Sequence, residues 1–254
     1  MVLSLAGPEL LAYLMASLRI GAWLAVVPPF SSRSVPTMAK VVLALGLAFT
    51  VAPSLRGQVA TGTWDLVVVA VTQVLVGVGM GFVTFLLFQA ISAAGALVDI
   101  FGGFALAAAF DPLAMNMNTV FGKFHQMLAT MLLFATGGHL LVIGGLLSTF
   151  ELLPLGEVPD TAGAPGVLTT AFGMFFVTAV QIALPMIAVL FVADLALALL
   201  TKVAPQLNAI NVMFPAKIGL TLLLLGLSFP VLPEAMERLV TLAGEAMAAI
   251  AGGG

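Results

Sequence analysis

Charged side chains are so rare in this chain that water cannot serve as the solvent of its folded surface. Asp, Glu, Lys and Arg make up 7% of the 254 residues, and 62% are hydrophobic. A soluble domain carries roughly a quarter of its residues as charged side chains. A fold with so few would aggregate in water, so lipid or other subunits must surround most of its side chains. The sequence therefore predicts an all-α integral membrane protein.

Several classes of function are excluded by the same residues. The net charge is −3 and no basic cluster is present, which argues against nucleic acid as a partner. The chain has no cysteine, so it has neither disulfides nor thiolate metal sites. No Ser/His/Asp set, HExxH motif or carboxylate pair stands at a spacing that catalysis needs. We expect a protein that is not an enzyme and that binds no cofactor or metal.

The charged residues divide the chain into six apolar segments, at residues 10–30, 41–55, 66–98, 121–150, 168–200 and 218–232. Counted between flanking charges, the second and sixth uncharged stretches have 15 and 16 residues, and the third and fifth have 33 each. A straight crossing needs about 20 apolar residues. The mismatch predicts helices that are tilted, kinked or re-entrant, or that leave the bilayer while buried in protein. Pro185 is the expected kink site.

The distribution of basic residues predicts an orientation if all six segments cross. One set of loops holds Arg33, Lys40, Lys123, Lys202 and Lys217, and the other holds Arg56 and Arg238. Cytoplasmic loops are the ones enriched in Lys and Arg. Both termini and the acidic loop 151–160 are then expected outside the cytoplasm, where residues 233–254 would form an amphipathic, acidic tail.

Glycines and ionisable residues inside the apolar segments allow competing interpretations. Small residues at the spacing of Gly77, Gly79 and Gly81 favour close helix packing over a phosphate loop, because no strand precedes them and no Lys-Ser/Thr follows. Arg19 and Asp194 could form a proton or ion site, or each could pair with a neighbouring subunit or a backbone carbonyl.

Two histidines raise the question of a metal site or proton relay. His125 and His139 are fourteen residues apart, and neither has a carboxylate within one helical turn. Pairing with Asp99, Asp111 or Asp194 would have to come from the fold. Satisfied interior histidines are the favoured interpretation.

The stretch 101–112 is apolar but too short and too rich in glycine to be a crossing. Two pairs of flexible or turn-forming residues bracket it: Gly102-Gly103 and Asp111-Pro112. Such a loop could close a pore by excluding water. It could equally be a surface re-entrant loop without a gating role, and the residues alone leave both interpretations open.

A series of short motifs along nearly the whole chain resembles one family. In order they are Arg19-Ile20, Pro29-Phe30-Ser31-Ser32-Arg33-Ser34-Val35-Pro36, Gly103-Phe104, Phe110-Asp111-Pro112, Gly137-Gly138-His139, Phe150-Glu151-Leu152-Leu153-Pro154, Ala204-Pro205-Gln206-Leu207-Asn208 and Phe214-Pro215-Ala216-Lys217. Each motif alone is weak, but their order and spacing together are similar to those of the FliR family, the export-gate subunits of flagellar type III secretion with counterparts in virulence systems.

The resemblance implies an architecture, partners and a location. Residues 1–165 would form a FliP-like helical part, and residues 166–254 a FliQ-like helical hairpin with the amphipathic tail. The helices would form tilted hairpins, and one copy would complete a ring of FliP-like and FliQ-like subunits beside FlhB-like and FlhA-like proteins. The function implied is to form part of the channel that carries unfolded flagellar proteins across the bacterial inner membrane at the basal body. The alternatives are a virulence secretion subunit or a small secondary transporter.

The resemblance also implies roles for particular residues. A pore plug would lie at about residues 102–118 and would include Gly102, Gly103, Phe104, Phe110, Asp111, Pro112, Met115 and Met117. Structural or inter-subunit roles are implied for Arg19, Arg33, Asp194, Pro205, Gln206, Asn208, Pro215 and Lys217.

Overall fold

The computed structural model describes residues 7–55, 62–104, 119–159, 163–204 and 209–252, and regular structure in these ranges is helical. The helices are α1 (Gly7–Val26), α2 (Thr37–Val51), α3 (Thr63–Phe101), α4 (Val120–Ala135), α5 (Gly138–Leu152), α6 (Ala164–Val203), α7 (Ala209–Leu224) and α8 (Val231–Ile250). Short 3-10 turns, Ala52–Leu55 and Leu225–Leu227, extend α2 and α7. The prediction of an all-α fold is confirmed over these ranges.

Four helices are long and apolar enough to cross a membrane: α1, α2 with its 3-10 turn, α3 and α6. Two bent pairs, α4 with α5 and α7 with α8, bring the number to six if each pair makes one span. The axes change direction by 74° in the first pair and 61° in the second. The fourth and sixth apolar segments are therefore broken helices, and in the first of them Gly137 has a φ of 73° at the break.

The two longest helices exceed the thickness of a bilayer. α3 has 39 residues and α6 has 40, and α6 continues through Pro185. At 1.5 Å per residue each is about 60 Å long, whereas the hydrocarbon core is about 30 Å thick. Each long segment is thus one helix rather than a re-entrant hairpin, and it must tilt strongly or extend beyond the lipid.

The chain forms two compact units. The first contains the described residues up to Leu87, together with Gly137–Phe172 and the described residues from Leu239 onward. The second contains the described parts of Phe88–Thr136 and Gly173–Arg238. In the first unit α1 packs on α2. The boundary at residue 165, which the family resemblance implies, stays a prediction.

The C-terminal helix α8 is amphipathic, as the sequence predicts. Its buried face consists of Leu232, Ala235, Met236, Leu239, Val240, Ala243 and Met247. Its exposed face carries Glu234, Glu237, Arg238 and Glu245. This spacing of three and four residues places one apolar stripe against protein and leaves the charges outside.

Candidate functional site

Arg19 lies on α1, is fully buried, and is held by neutral acceptors. Its Nε donates to Gln73 Oε1 at 2.6 Å. Its Nη2 donates to the carbonyl oxygen of Leu153 at 2.8 Å, and its Nη1 donates to that of Thr149 at 3.3 Å. Because the last carbonyl groups of a helix carry partial negative charge, the guanidinium stabilises the C-terminal end of α5.

Two further contacts complete the Arg19 site. The guanidinium lies 4.2 Å from the centroid of the Phe150 ring, within the range of a cation–π interaction. Gln73 Nε2 donates to the carbonyl oxygen of Leu155 at 3.2 Å. In the part of the chain that the structure describes, no carboxylate forms an ion pair with Arg19. The carbonyl contacts agree with the second sequence interpretation of Arg19, and a role at a subunit contact stays a prediction.

Two glycines of α3 allow α1 to approach closely. A Cβ on Gly77 would overlap the carbonyl oxygen of Arg19, and a Cβ on Gly81 would lie 3.3 Å from that of Trp23. Gly79 faces open space. The packing interpretation is confirmed for Gly77 and Gly81, whereas none of the described residues lies close enough to Gly79 to require a glycine there.

Asp99, near the end of α3, is fully buried and holds the beginning of α4. Its Oδ2 accepts hydrogen bonds from the backbone N–H groups of Phe121 at 2.9 Å and Gly122 at 3.1 Å. The first N–H groups of a helix have no partner within that helix, and a carboxylate there is favoured by the helix dipole. The sequence suggested Asp99 only as a histidine partner, so this capping role was missed.

Phe121 is in contact with three further side chains or backbone groups. Its ring meets that of Phe104 edge to face, with the centroids 4.9 Å apart. Its carbonyl oxygen lies 2.9 Å from His125 Nδ1, which donates because a carbonyl can only accept. A Cβ on Gly95 would overlap the same carbonyl oxygen. His125 is thus interior, as predicted, but only one ring nitrogen is bonded: among the described residues Nε2 is buried without a hydrogen-bond partner, so the histidine is not fully satisfied.

The structure describes only the first residues of the predicted plug. Gly102 and Gly103 form a turn at the end of α3, and Gly103 has a φ of 85°. A Cβ on Gly102 would lie 2.8 Å from Thr221 Oγ1, so this glycine allows a close approach of α7. The other predicted plug residues lie outside the described residues: Phe110, Asp111, Pro112, Met115 and Met117.

Asp194 of α6 and Lys217 of α7 form an ion pair within the chain, a partner that the sequence interpretations of Asp194 did not include. Lys217 Nζ lies 2.8 Å from Oδ1 and 2.9 Å from Oδ2 of the carboxylate, and both side chains are partly exposed. Arg33 is exposed between α1 and α2, and Pro215 is exposed in α7. Three residues of the predicted hairpin tip lie outside the described residues: Pro205, Gln206 and Asn208.

The contacts of Arg19 and Asp99 hold the ends of helices, so the geometry supports a structural site. Over the described ranges no three His, Asp or Glu side chains stand close enough to hold a metal ion. Sequence reasoning missed Gln73, although a side-chain amide within a long uncharged stretch is a signal that a buried polar partner exists. It also missed Thr149, whose partner is known only once α1 and α5 are placed together.

Comparison with known proteins gives consistent matches over most of the chain. Residues 10–243 match the family model described as bacterial export proteins, family 1. The flagellar biosynthetic protein FliR of Escherichia coli K12 is 33% identical over 228 residues, which cover 89% of this chain and 87% of that protein. FliR of Pectobacterium carotovorum is 34% identical over 87% of this chain and 85% of its own. FliR of Bacillus subtilis is 25% identical over 93% of each.

Proposed function

The chain belongs to the FliR family of bacterial export proteins, and on that premise we propose how it is built into the flagellar type III export gate. Membership in this family makes it a structural component of the flagellar export apparatus and not an enzyme. The proposal concerns what the family membership leaves open: which surfaces other subunits cover, where the channel is closed, and where the chain lies in the cell.

The exposed apolar surface of α6 supports the proposal that other subunits cover part of this protein. Exposed apolar side chains extend from one end of the helix to the other: Leu168, Phe172, Phe176, Val180, Leu184, Val189, Val192, Leu195, Leu199 and Val203. The helix is about 60 Å long, so even a tilt of about 40° leaves more apolar length than a hydrocarbon core of about 30 Å can cover. Protein must cover the remainder, since exposed apolar patches of this size mark interaction surfaces.

FliP-like and FliQ-like subunits are the proposed partners, and FlhB-like and FlhA-like proteins their neighbours. The family resemblance of residues 1–165 to FliP and of residues 166–254 to FliQ supports this choice, because a chain with both parts can complete a ring made of both subunits. Exported flagellar proteins would pass through the ring, and the remaining apolar surface would face the lipid.

Photo-crosslinking tests the partners directly. A crosslinking amino acid at Leu199, which is 65% exposed, should capture a FliP-like or FliQ-like subunit in cells. The same amino acid at Leu190, which is fully buried in α6, is the matched control and should give crosslinks within the chain only. Crosslinks at Leu199 to lipid alone, from complexes that still assemble, would contradict the proposal.

A plug at about residues 102–118 is the second element of the proposal, and the resemblance supports it. Its closing surface would comprise Phe104, Phe110, Met115 and Met117. The rings of Phe104 and Phe121 are in contact, so a short Gly-Ser linker can replace residues 105–118 without separating α3 from α4. We expect this deletion to make the assembled complex permeable to ions. Background conductance of an assembled complex would refute the plug.

The proposed location is the inner membrane at the flagellar basal body, with several crossings. The segment between α6 and α7 is flanked by Lys202 and Lys217, and positive charge favours the cytoplasmic side. A cysteine at Asn208, in a chain that has none of its own, should therefore react with an impermeant thiol reagent only after the membrane is opened. Labelling of intact spheroplasts from outside would reverse the orientation.

A further inference from the structure

Two cations, Arg33 and Lys40, lie close together in the chain at the beginning of α2. Arg33 is exposed in the turn between α1 and α2, and Lys40 is partly exposed in the first turn of α2. Over the described ranges of the chain, neither has a carboxylate within ion-pair distance. Their positive charge is therefore available to an anion from outside the chain.

The turn before α2 holds the two cations near each other. The carbonyl oxygen of Ser32 accepts hydrogen bonds from the N–H of Val35 at 3.2 Å and from the Lys40 ammonium group at 3.3 Å. The Ser32 hydroxyl accepts a hydrogen bond from the N–H of Ser34 at 3.1 Å. Lys40 Nζ is thus bonded to the residue that directly precedes Arg33, which places the ammonium group beside the backbone that carries the guanidinium.

The first turn of α2 adds partial positive charge to that of the two side chains. Its N-cap residue is Pro36, whose side chain has no acceptor for the N–H groups of this turn. The first N–H groups of a helix have no partner within that helix, and the helix dipole favours an anion beside them. A phosphate group has several acceptor oxygens, which suits a guanidinium, an ammonium group and backbone N–H groups together.

The helix that follows has the length and the surface of a span that faces lipid. With its 3-10 turn it covers 19 residues, Thr37–Leu55, and is about 28 Å long, close to the thickness of a hydrocarbon core of about 30 Å. Of the four candidate spans it has the smallest buried share, 17% against 22% to 33%. Exposed apolar side chains begin in its first turn and continue along it: Met38, Val41, Val42, Leu43 and Phe49.

We propose that Arg33 and Lys40 form a binding site for an anionic phospholipid. Its phosphate group lies at the two cations and the first turn of α2, and its acyl chains lie along the exposed apolar side chains of that helix. The length of α2 favours a lipid over an acidic segment of another protein, because lipid alone can cover the whole helix, unlike α6. The bound lipid fixes the depth of α2 in the membrane. This site depends neither on the proposed partner subunits nor on the proposed plug.

Crosslinking to lipid at a single position tests the site. A photo-crosslinking amino acid replaces Met38, which is 74% exposed, and the complex is placed in vesicles of equal parts phosphatidylglycerol and phosphatidylcholine. Mass spectrometry counts the adducts of each lipid with this chain. Each cation near an anionic headgroup contributes about fivefold to affinity, so phosphatidylglycerol should be enriched about 25-fold among the adducts. The double variant Arg33→Gln, Lys40→Gln should return the adducts to the composition of the vesicle.

Two controls separate this site from general attraction to the membrane. The same amino acid at Phe49, which is 55% exposed near the other end of α2, should give adducts in the proportions of the vesicle. Arg238→Gln removes an exposed arginine that lies among Glu234 and Glu237 on α8, and it should leave the enrichment at Met38 unchanged. Higher ionic strength should reduce that enrichment, because salt screens exposed charges.

Each other outcome contradicts the proposal. Equal amounts of the two lipids at Met38 in the wild type would mean that the cations select no anionic lipid. An enrichment that survives the double variant would place its cause elsewhere. Crosslinks from Met38 to another subunit in place of lipid would show that protein covers the cations. If the double variant yields no complex, Arg33→Gln and Lys40→Gln decide singly, and each should lower the enrichment about fivefold.

Discussion

Arg19 and Asp99 are both fully buried charges that stabilise the end of a helix, but they do so in different ways. Arg19 places its cation at the carbonyl end of α5, and Asp99 places its anion at the amide end of α4. The donors of Arg19 reach α3, α5 and the residue after α5. The contacts of Asp99 are confined to the beginning of one helix, at residues 119–122. The first arrangement joins several elements of its unit, whereas the second fixes one turn.

This difference predicts which charge the fold depends on. Loss of Arg19 would remove the donor that the buried Gln73 amide oxygen and the buried Leu153 carbonyl oxygen have in Arg19, which is costly in an interior that excludes water. Loss of Asp99 would free two N–H groups that the first turn of a helix can rearrange. We therefore expect the loss of Arg19 to lower the amount of folded protein more than the loss of Asp99 does.

Arg19→Leu is the substitution with the largest expected effect. Removing one partner of a buried charged network typically costs about 3–5 kcal/mol, so most of the protein should fail to assemble. The measurement is the yield of complex and its thermal midpoint in detergent. Arg33→Leu removes the same charge from an exposed position and should change the free energy of unfolding by less than about 0.5 kcal/mol.

Arg19→Lys sharpens the same prediction. Lysine keeps the charge but lacks the planar fork that reaches three acceptors at once, so it should restore only part of the yield. If Arg19→Leu assembled as well as Arg33→Leu, the network would not join the elements of its unit. The fold would then not depend more on Arg19 than on Asp99.

Substitutions of glycine by alanine on α3 have the next largest expected effect. They test the contacts near Arg19 and those near Asp99 on one helix. In an open helical position such as Gly79, alanine should stabilise the protein by roughly 0.5–1 kcal/mol. A Cβ on Gly77 would overlap the Arg19 carbonyl, and a Cβ on Gly95 would overlap the Phe121 carbonyl. Gly77→Ala and Gly95→Ala should therefore destabilise the protein, by about 1–3 kcal/mol each.

The thermal midpoint of the complex in detergent measures these effects. Gly77→Ala and Gly95→Ala should both lower it, whereas Gly79→Ala should raise it. If all three alanines shifted the midpoint in the same direction, the close helix contacts would not be needed for stability.

The sequence predicts a site where neighbouring residues along the chain reveal it. Arg19 stands out as a single charge inside an apolar segment, which indicates a buried charge with a partner. The spacing of Gly77 and Gly81 predicts close helix packing. The extent of α3 followed from the positions of the charges, since Asp65 and Asp99 lie close to its two ends. The break between α4 and α5 was not predicted, although the pair Gly137-Gly138 within an apolar run is a known signal.

The partners of Asp99 could not be predicted from the sequence. Its acceptor oxygen binds backbone N–H groups, which every helix presents in its first turn whatever its side chains are. More than twenty residues separate Asp99 from Phe121, so no helical periodicity connects them. The plug and the hairpin tip came from the family resemblance alone, because apolar and glycine-rich segments fit several structures equally well.

Substitutions in the pair of Asp194 and Lys217 are expected to change the stability of the complex least. Each group has its opposite charge at 2.8 Å, and both are partly exposed, so either one left alone can reach water or a lipid headgroup. Partly exposed ion pairs contribute about 0.2–1 kcal/mol. Asp194→Asn, Lys217→Met and the double variant form a cycle that isolates this coupling energy in the thermal stability of the complex. A coupling energy near that of a buried network, about 3 kcal/mol or more, would mean that another subunit covers the pair. In that case the larger effect expected for Arg19 and Asp99 would come from their burial, and not from their contacts with the ends of helices.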